Sequence, residues 1–243
     1  ARYVTFYGSA SNLVPGDTNG TMDVFVRDRL TGTTERVSVD SSGVQGNKDS
    51  YGGPISPDGR YVAFHSTAKN LVSGDTNGKM DVFLRDRQTG TTERLSVDSG
   101  GTQGDGDSSD PALTPDGRFA AFQSLAANLV AGDTNGKSDI FVRDRQLWTT
   151  QRVSVDSNGG QGNAESGFQG PSLSLDGRYV AFDSRAQLVP TDTNTWHDIY
   201  VRDRGCGSGT LSYCTAGTSA SGCTAAISST GTASATAPSG FVV

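Results

Sequence analysis

The stretch that decides the fold is Gly74-Asp75-Thr76-Asn77-Gly78-Lys79-Met80-Asp81-Val82-Phe83-Leu84-Arg85-Asp86-Arg87. It recurs as Asp17-Thr18-Asn19-Gly20 with Asp23 and Arg27-Asp28-Arg29, and as Asp133-Thr134-Asn135-Gly136 with Asp139 and Arg143-Asp144-Arg145. The last copy is Asp192-Thr193-Asn194-Thr195 with Asp198 and Arg202-Asp203-Arg204. The leading Asp falls at 17, 75, 133 and 192, a period of 58, 58 and 59 residues. Self-similarity at such a period signals an array of supersecondary units.

Each period carries the same four apolar segments. In the second copy Pro54-Ile55-Ser56 is a short first strand, closed by the turn Pro57-Asp58-Gly59. Arg60 to Ser66 reads as the second strand, and the loop from Ala68 to Met80 leads into a third, Asp81 to Arg87. Gln88-Thr89-Gly90 reverses the chain into a fourth, Thr92 to Val97, and a Gly-rich loop then reaches the next Pro. Val, Phe, Tyr and Thr bounded by Gly, Pro and Asp turns mark strands, and no stretch holds a helical period. Tyr61-Val62-Ala63-Phe64 is apolar on both faces, as a strand sandwiched between neighbouring sheets must be. The expected fold is all-β: a propeller of four-stranded antiparallel blades, about four repeats, followed by a Ser/Thr/Gly-rich β or irregular tail.

The motifs resemble the WD40-like family of TolB-type propellers, whose blades carry a Ser-Pro-Asp-Gly-Arg turn before an aromatic-Val-Ala-Phe strand. The matching residues are Ser56-Pro57-Asp58-Gly59-Arg60 and Thr114-Pro115-Asp116-Gly117-Arg118, while Ser174-Leu175-Asp176-Gly177-Arg178 loses the Pro. The resemblance covers residues 2 to 204 and implies a fold rather than a function, because such propellers serve as scaffolds, receptors and enzymes alike.

Residues 1–204 therefore form the repeat domain, with its first and last blades incomplete. The first begins at its second strand, and the fourth reaches its third strand before entering the tail. Residues 205–243 contain no charged side chain and read as a linker, or as the start of a Cys-containing β module that the pattern around Tyr213 and Cys214 resembles. Thr210 to Tyr213 offers an outer strand for the fourth blade, and Ser239 to Val243 a strand to complete the first. Without that closure the blade faces at the ends stay bare, which predicts self-association.

Cys206, Cys214 and Cys223 cluster in this tail with no His or acid among them, the pattern of an exported, disulfide-bearing protein rather than a zinc site. The chain opens inside a repeat, with no leader peptide, and reads as a processed or excised piece. No apolar run is long enough to span a bilayer. The net charge of −6, with only four Lys, argues against a nucleic-acid partner. Expected partners are proteins or glycans on an extracellular surface, and the expected location is secreted, extracellular or periplasmic.

Antiparallel strands send alternate connections to opposite ends of the ring. The Asp-Thr-Asn loops therefore share one face, which collects Asp17, Asp23, Asp75, Asp81, Asp133, Asp139, Asp192 and Asp198. Carboxylates this dense repel one another unless solvated or bound to cations. Asp-x-Asn-Gly-x-x-Asp has the ingredients of a calcium loop: oxygens two residues apart, a turn Gly and a closing carboxylate. The candidate Ca2+ ligands are Asp17, Asn19 and Asp23; Asp75, Asn77 and Asp81; Asp133, Asn135 and Asp139; and Asp192, Asn194 and Asp198. The motif resembles shortened calcium loops of integrin-type propellers, lacking their middle Asp. The competing reading is conformational: Asp caps the turn, Asn tolerates positive φ and Gly completes the reversal.

Three further features bear on function. The position held by Tyr7, His65, Gln123 and Asp183 varies from repeat to repeat, as a ligand contact would. Trp148 and Trp196 interrupt the repeat and offer aromatic faces for sugars, partners or packing. The Arg-Asp-Arg strand ends pair with the neighbouring turns. No nucleophile elbow or phosphate loop is present. The reading taken forward is an exported, non-enzymatic propeller with calcium-binding loops, serving adhesion, scaffolding or assembly. Its rivals are a carbohydrate-binding propeller and a metal-dependent polysaccharide hydrolase or lyase centred on His65.

Overall fold

The computed structural model describes residues 1–205. The chain is all-β, with antiparallel sheets and no helix among these residues. The first sheet contains β1 (Tyr3–Gly8), β2 (Asp23–Asp28) and β3 (Thr33–Arg36). The second contains β4 (Ser50–Ile55), β5 (Tyr61–Ser66), β6 (Asp81–Asp86) and β7 (Thr91–Arg94). The third repeats it as β8 (Ser108–Leu113), β9 (Phe119–Ser124), β10 (Asp139–Asp144) and β11 (Thr149–Arg152). The fourth contains β12 (Ser172–Leu173), β13 (Tyr179–Ser184) and β14 (Asp198–Asp203). In every sheet, strands adjacent in sequence are adjacent in space, the up-and-down order of a propeller blade.

Among the described residues the first and fourth sheets each have three strands, the first without an inner strand and the fourth without an outer one. The inner strands run longer than the sequence suggested. β4 and β8 start at Ser50 and Ser108, inside what reads as a Gly-rich loop, and each shifts register before its last residues. Pro54 and Pro111 cannot donate to a ladder, so these strands bulge at the point where the apolar pattern breaks. The outer strands are shorter than read and stop at Arg36, Arg94 and Arg152. Expectations placed on Thr210 to Tyr213, Ser239 to Val243 and the cysteines lie outside the described residues.

Alternate residues of each strand face the preceding and the following sheet. Val24 and Val26 meet Val62, Phe64 and Phe83 between the first two sheets. Ala63, Val82 and Leu84 meet Ala120, Phe122 and Phe141 between the next two. Ala121, Ile140 and Val142 meet Val180, Phe182 and Tyr200 between the last two. Each buried Phe contributes about 1.5–3 kcal/mol over exposure, so these layers hold the sheets together. Strand pairs also stack their rings, Phe64 on Phe83 at 5.7 Å and Phe122 on Phe141 at 6.0 Å.

A second lock repeats at the end of the sheets opposite the Asp loops. Tyr3 lies against Gly59 of the next sheet, Tyr61 against Gly117 and Phe119 against Gly177. Those glycines hold positive φ, and a Cβ at any of them would strike the ring. Each ring is flanked by an Arg of its own sheet and one of the next: Arg2 and Arg87 on Tyr3, Arg60 and Arg145 on Tyr61, Arg118 and Arg204 on Phe119.

Candidate functional site

The Asp loops gather on one end, as the alternation of strands requires, and the second carboxylate of each loop meets donors there. Asp23, Asp81 and Asp139 are fully buried at the starts of β2, β6 and β10. Ser38, Ser96 and Ser154 each donate a hydroxyl to the first carboxylate oxygen at 2.5 Å. The side-chain amides of Asn19, Asn77 and Asn135 donate to the second oxygen and to the carbonyls of Gly46, Gly104 and Gly162. Their amide oxygens accept the backbone N–H two residues on, which fixes the turn.

A guanidinium lies between the two carboxylates of the first three loops. Arg36 Nη1 is 3.1 Å from Asp17 and 3.3 Å from Asp23. Arg94 lies 3.5 Å from Asp75 and 3.3 Å from Asp81, and Arg152 3.3 Å from Asp133 and 3.5 Å from Asp139. Burial pushes the Asp75, Asp81 and Asp139 carboxyls up, with the guanidinium opposing it for each of them. These arginines end the outer strands in the repeated Thr-Thr-Glu/Gln-Arg segment. Sequence reasoning missed their role, although constancy of Arg and of the following Ser in every complete repeat was the available signal.

The fourth loop differs. Asn194 donates to Asp198 at 3.1 Å, and the Tyr200 hydroxyl donates to Asp192 at 2.6 Å. Neither Asp192 nor Asp198 has a guanidinium partner among the described residues. Among the described residues, no three His, Cys, Asp or Glu side chains converge on one point.

Near the axis, the same end of the sheets carries a set of side chains that differs in every repeat. Tyr7, His65, Gln123 and Asp183 occupy one register, opposite Val24, Val82, Ile140 and Ile199. The inner strands add partners: Tyr51 pairs with His65 and stacks on it at 5.4 Å, Ser109 pairs with Gln123, and the Gly167 N–H donates to the Asp183 carbonyl. Tyr7 meets Tyr51 edge-on at 5.7 Å. Asp183 also receives the Gln169 N–H and pairs with His197 Nδ1 at 2.8 Å, and Phe168 lies 5.5 Å from the His197 ring. Burial pulls the His65 imidazole down against the opposing charge of Asp110, and its Nδ1 has no hydrogen-bond partner. A cavity of about 400 Å3, lined by Thr5, Phe6, Tyr7, Gly52 and Gly53, opens beside this rim where, among the described residues, the first sheet has no inner strand. Tyr51, Phe168 and Ser109 were invisible as site residues in the sequence because they sit in segments that read as loop.

The remaining expectations resolve into local structure. Arg60 holds Asp86 at 2.7 Å across its own hairpin, and the pair recurs as Arg2–Asp28, Arg118–Asp144 and Arg178–Asp203. Arg85 and Arg143 are buried rather than exposed, and each reaches back to a carbonyl of the preceding sheet, that of Asp40 or Asp98. Trp148 and Trp196 are both exposed. Trp148 takes the positive φ of the Gly90-type turn position and stands 5.7 Å from Arg143.

Comparison with known proteins supports the fold. No family model and no curated protein matches the chain. Among solved structures, a TolB protein from Agrobacterium tumefaciens matches with a TM-score of 0.50 at 19% identity, over 88% of this chain and 62% of that one. The tricorn protease matches with a TM-score of 0.51 at 15% identity, over 86% of this chain and 17% of that one. Oligogalacturonate lyase from Vibrio parahaemolyticus matches with a TM-score of 0.50 at 15% identity, over 86% and 48%. The chain thus spans less than two thirds of each neighbour. At these identities the likeness establishes the propeller fold alone.

Proposed function

We propose that this propeller acts as a non-enzymatic adhesion or scaffold module of an exported protein, gripping its ligand at the axial rim. The observation that carries this reading is the distribution of difference. The Asp loops, their arginines and the aromatic locks repeat almost unchanged, whereas the rim position holds Tyr7, His65, Gln123 and Asp183. A selective site needs differentiated groups, and among the axial positions described above the repeats diverge here. The rings of Tyr7, Tyr51 and Phe168 and the amide of Gln123, all on this end of the sheets, suit a glycan, which offers apolar ring faces and hydroxyl groups. The acidic charge and the cysteine-bearing, uncharged tail support export.

The calcium expectation narrows in this reading. In the first three loops Arg36, Arg94 and Arg152 already serve as the cation between the two carboxylates. In the fourth, Asp192 and Asp198 have no such counter-charge among the described residues, and calcium is the cation proposed there. Two carboxylates predict a weak site, with Kd of about 10⁻⁴–10⁻³ M.

Glycan-array binding by the wild type, Tyr51→Ala and Gln123→Ala tests the rim. Binding should fall at least tenfold in both variants with the unfolding midpoint little changed. Loss in Trp196→Ala with both rim variants intact would move the site to the loop face. Absence of binding to any glycan would reject a glycan ligand. Polysaccharide cleavage abolished by His65→Ala would replace the whole reading with an enzymatic one.

A further inference from the structure

Asp110 stands at the axial rim with φ +52°, a left-handed backbone that costs stability in a residue with a side chain. It precedes Pro111, and the residues before Pro54 and Pro171 are Gly53 and Gly170. Gly170 takes positive φ as well, without strain. The Asp110 side chain is exposed, and its Oδ2 accepts the Ser109 hydroxyl at 2.8 Å. Among the described residues it forms no ion pair with Lys, Arg or His.

The neighbouring inner strand brings aromatic rings to this carboxylate. Pro111 lies against Gly53, where a Cβ would be 3.0 Å from Pro111 Cγ, and Tyr51 stands on the same strand as Gly53. Tyr51 stacks on His65 at 5.4 Å, and His65 feels the Asp110 charge across the boundary between the second and third sheets. Burial pulls the imidazole down, so it adds no positive charge near neutral pH. Both sheets have all four strands, and the cluster is therefore whole within the described residues. At the opposite end of the sheets Tyr3, Tyr61, Phe119 and Tyr179 each carry an Arg on the ring. Among the described residues no Arg stands over Tyr51. Open aromatic faces beside an unpaired carboxylate are the chemistry that receives an ammonium group.

We propose that the rim takes an amino sugar, its ammonium group seated between the Asp110 carboxylate and the rings of Tyr51 and His65. This rests on the glycan reading of the rim and names the class of glycan. The amine supplies the counter-charge that Asp110 lacks, and the sugar ring offers its apolar face to Tyr51. An N-acetylated sugar lacks the charge, and an acidic one is repelled by Asp110.

Titration calorimetry with oligomers of glucosamine and of N-acetylglucosamine tests it. The wild type should bind the amine form about tenfold tighter, as a partly desolvated cation on an aromatic face would. Asp110→Asn should bring the two forms near parity, with the N-acetylated oligomer bound as before. Asp110→Gly should do the same without loss of unfolding midpoint, because glycine suits the backbone there. An amine preference that survives in both variants would overturn the proposal and assign it to the acidity of the whole chain. Equal binding of the two oligomers by the wild type, or binding of other glycans alone, would overturn it and leave the rim a glycan site. Absence of binding to any glycan would remove the glycan reading and this inference together.

Discussion

Arg87 of the second sheet donates through Nε and Nη2 to the carboxylate of Glu35 in the first, the Nη2 contact being 2.8 Å. Arg145 makes the same contact with Glu93 one sheet on. At the third interface the corresponding residues are Arg204 and Gln151, and the Arg204 Nε is buried without a hydrogen-bond partner. Gln151→Glu should therefore restore the pair and stabilise the fold by about 0.2–1 kcal/mol, the range of partly exposed ion pairs. Thermal unfolding at low and high salt would show it as a rise in midpoint that salt diminishes. No rise at low salt would mean that the carboxylate does not reach Arg204.

Two glycines separate backbone conformation from contact. Gly117 has φ +70° and a Cβ there would lie 2.5 Å from Tyr61 Cδ2, whereas Gly136 has φ +62° with nothing within 4 Å. Gly136→Ala should cost about 1 kcal/mol, the price of the left-handed backbone alone. Gly117→Ala must also displace Tyr61 from between Arg60 and Arg145, and about 2–4 kcal/mol is expected, within the range of severe single-site losses. Equal losses in chemical denaturation would show that the aromatic lock contributes nothing.

The acid limb of stability should follow the Arg60–Asp86 pair. The Arg60 guanidinium holds the Asp86 carboxyl down to about 2, from 3.8 when unpaired. A carboxyl whose folded pKa is depressed stabilises the fold above its unfolded value and loses that contribution as pH falls toward the folded one. The pair's contribution is thus complete above about pH 4 and fades between about pH 4 and 2. Asp86→Asn should lower the midpoint at pH 6 and flatten its fall over that window. An acid limb as steep as the wild type's would assign the loss to other groups.

Most of the fold was legible because repetition multiplies weak signals. One apolar run such as Tyr61-Val62-Ala63-Phe64 is ambiguous, but its return as Phe119-Ala120-Ala121-Phe122 and Tyr179-Val180-Ala181-Phe182 at fixed turns is not. The inner strands were harder to read, because Gly52, Gly53, Pro54 and Pro111 carry loop signals within paired backbone. The Asp loops were recognised as a motif, but their arginines were not. Arg94 and Asp81 lie on different strands, and pairing β6 with β7 sets Phe83 opposite Arg94 and aims its guanidinium at the loop. The axial rim was half legible: one strand's variable position could be aligned, whereas Tyr51 and Phe168 meet it only through folding.

The most direct test of the division between braced loops and a differentiated rim is calcium stoichiometry, by equilibrium dialysis of metal-free protein with unfolding followed in calcium and in EDTA. One calcium per chain is expected, at millimolar-range affinity, lost in Asp192→Asn and retained in Asp75→Asn. Binding of about four calcium ions per chain, with a lower melting temperature in EDTA, would contradict the account. It would mean that the metal displaces Arg36, Arg94 and Arg152 and that the repeated loops are themselves the functional sites.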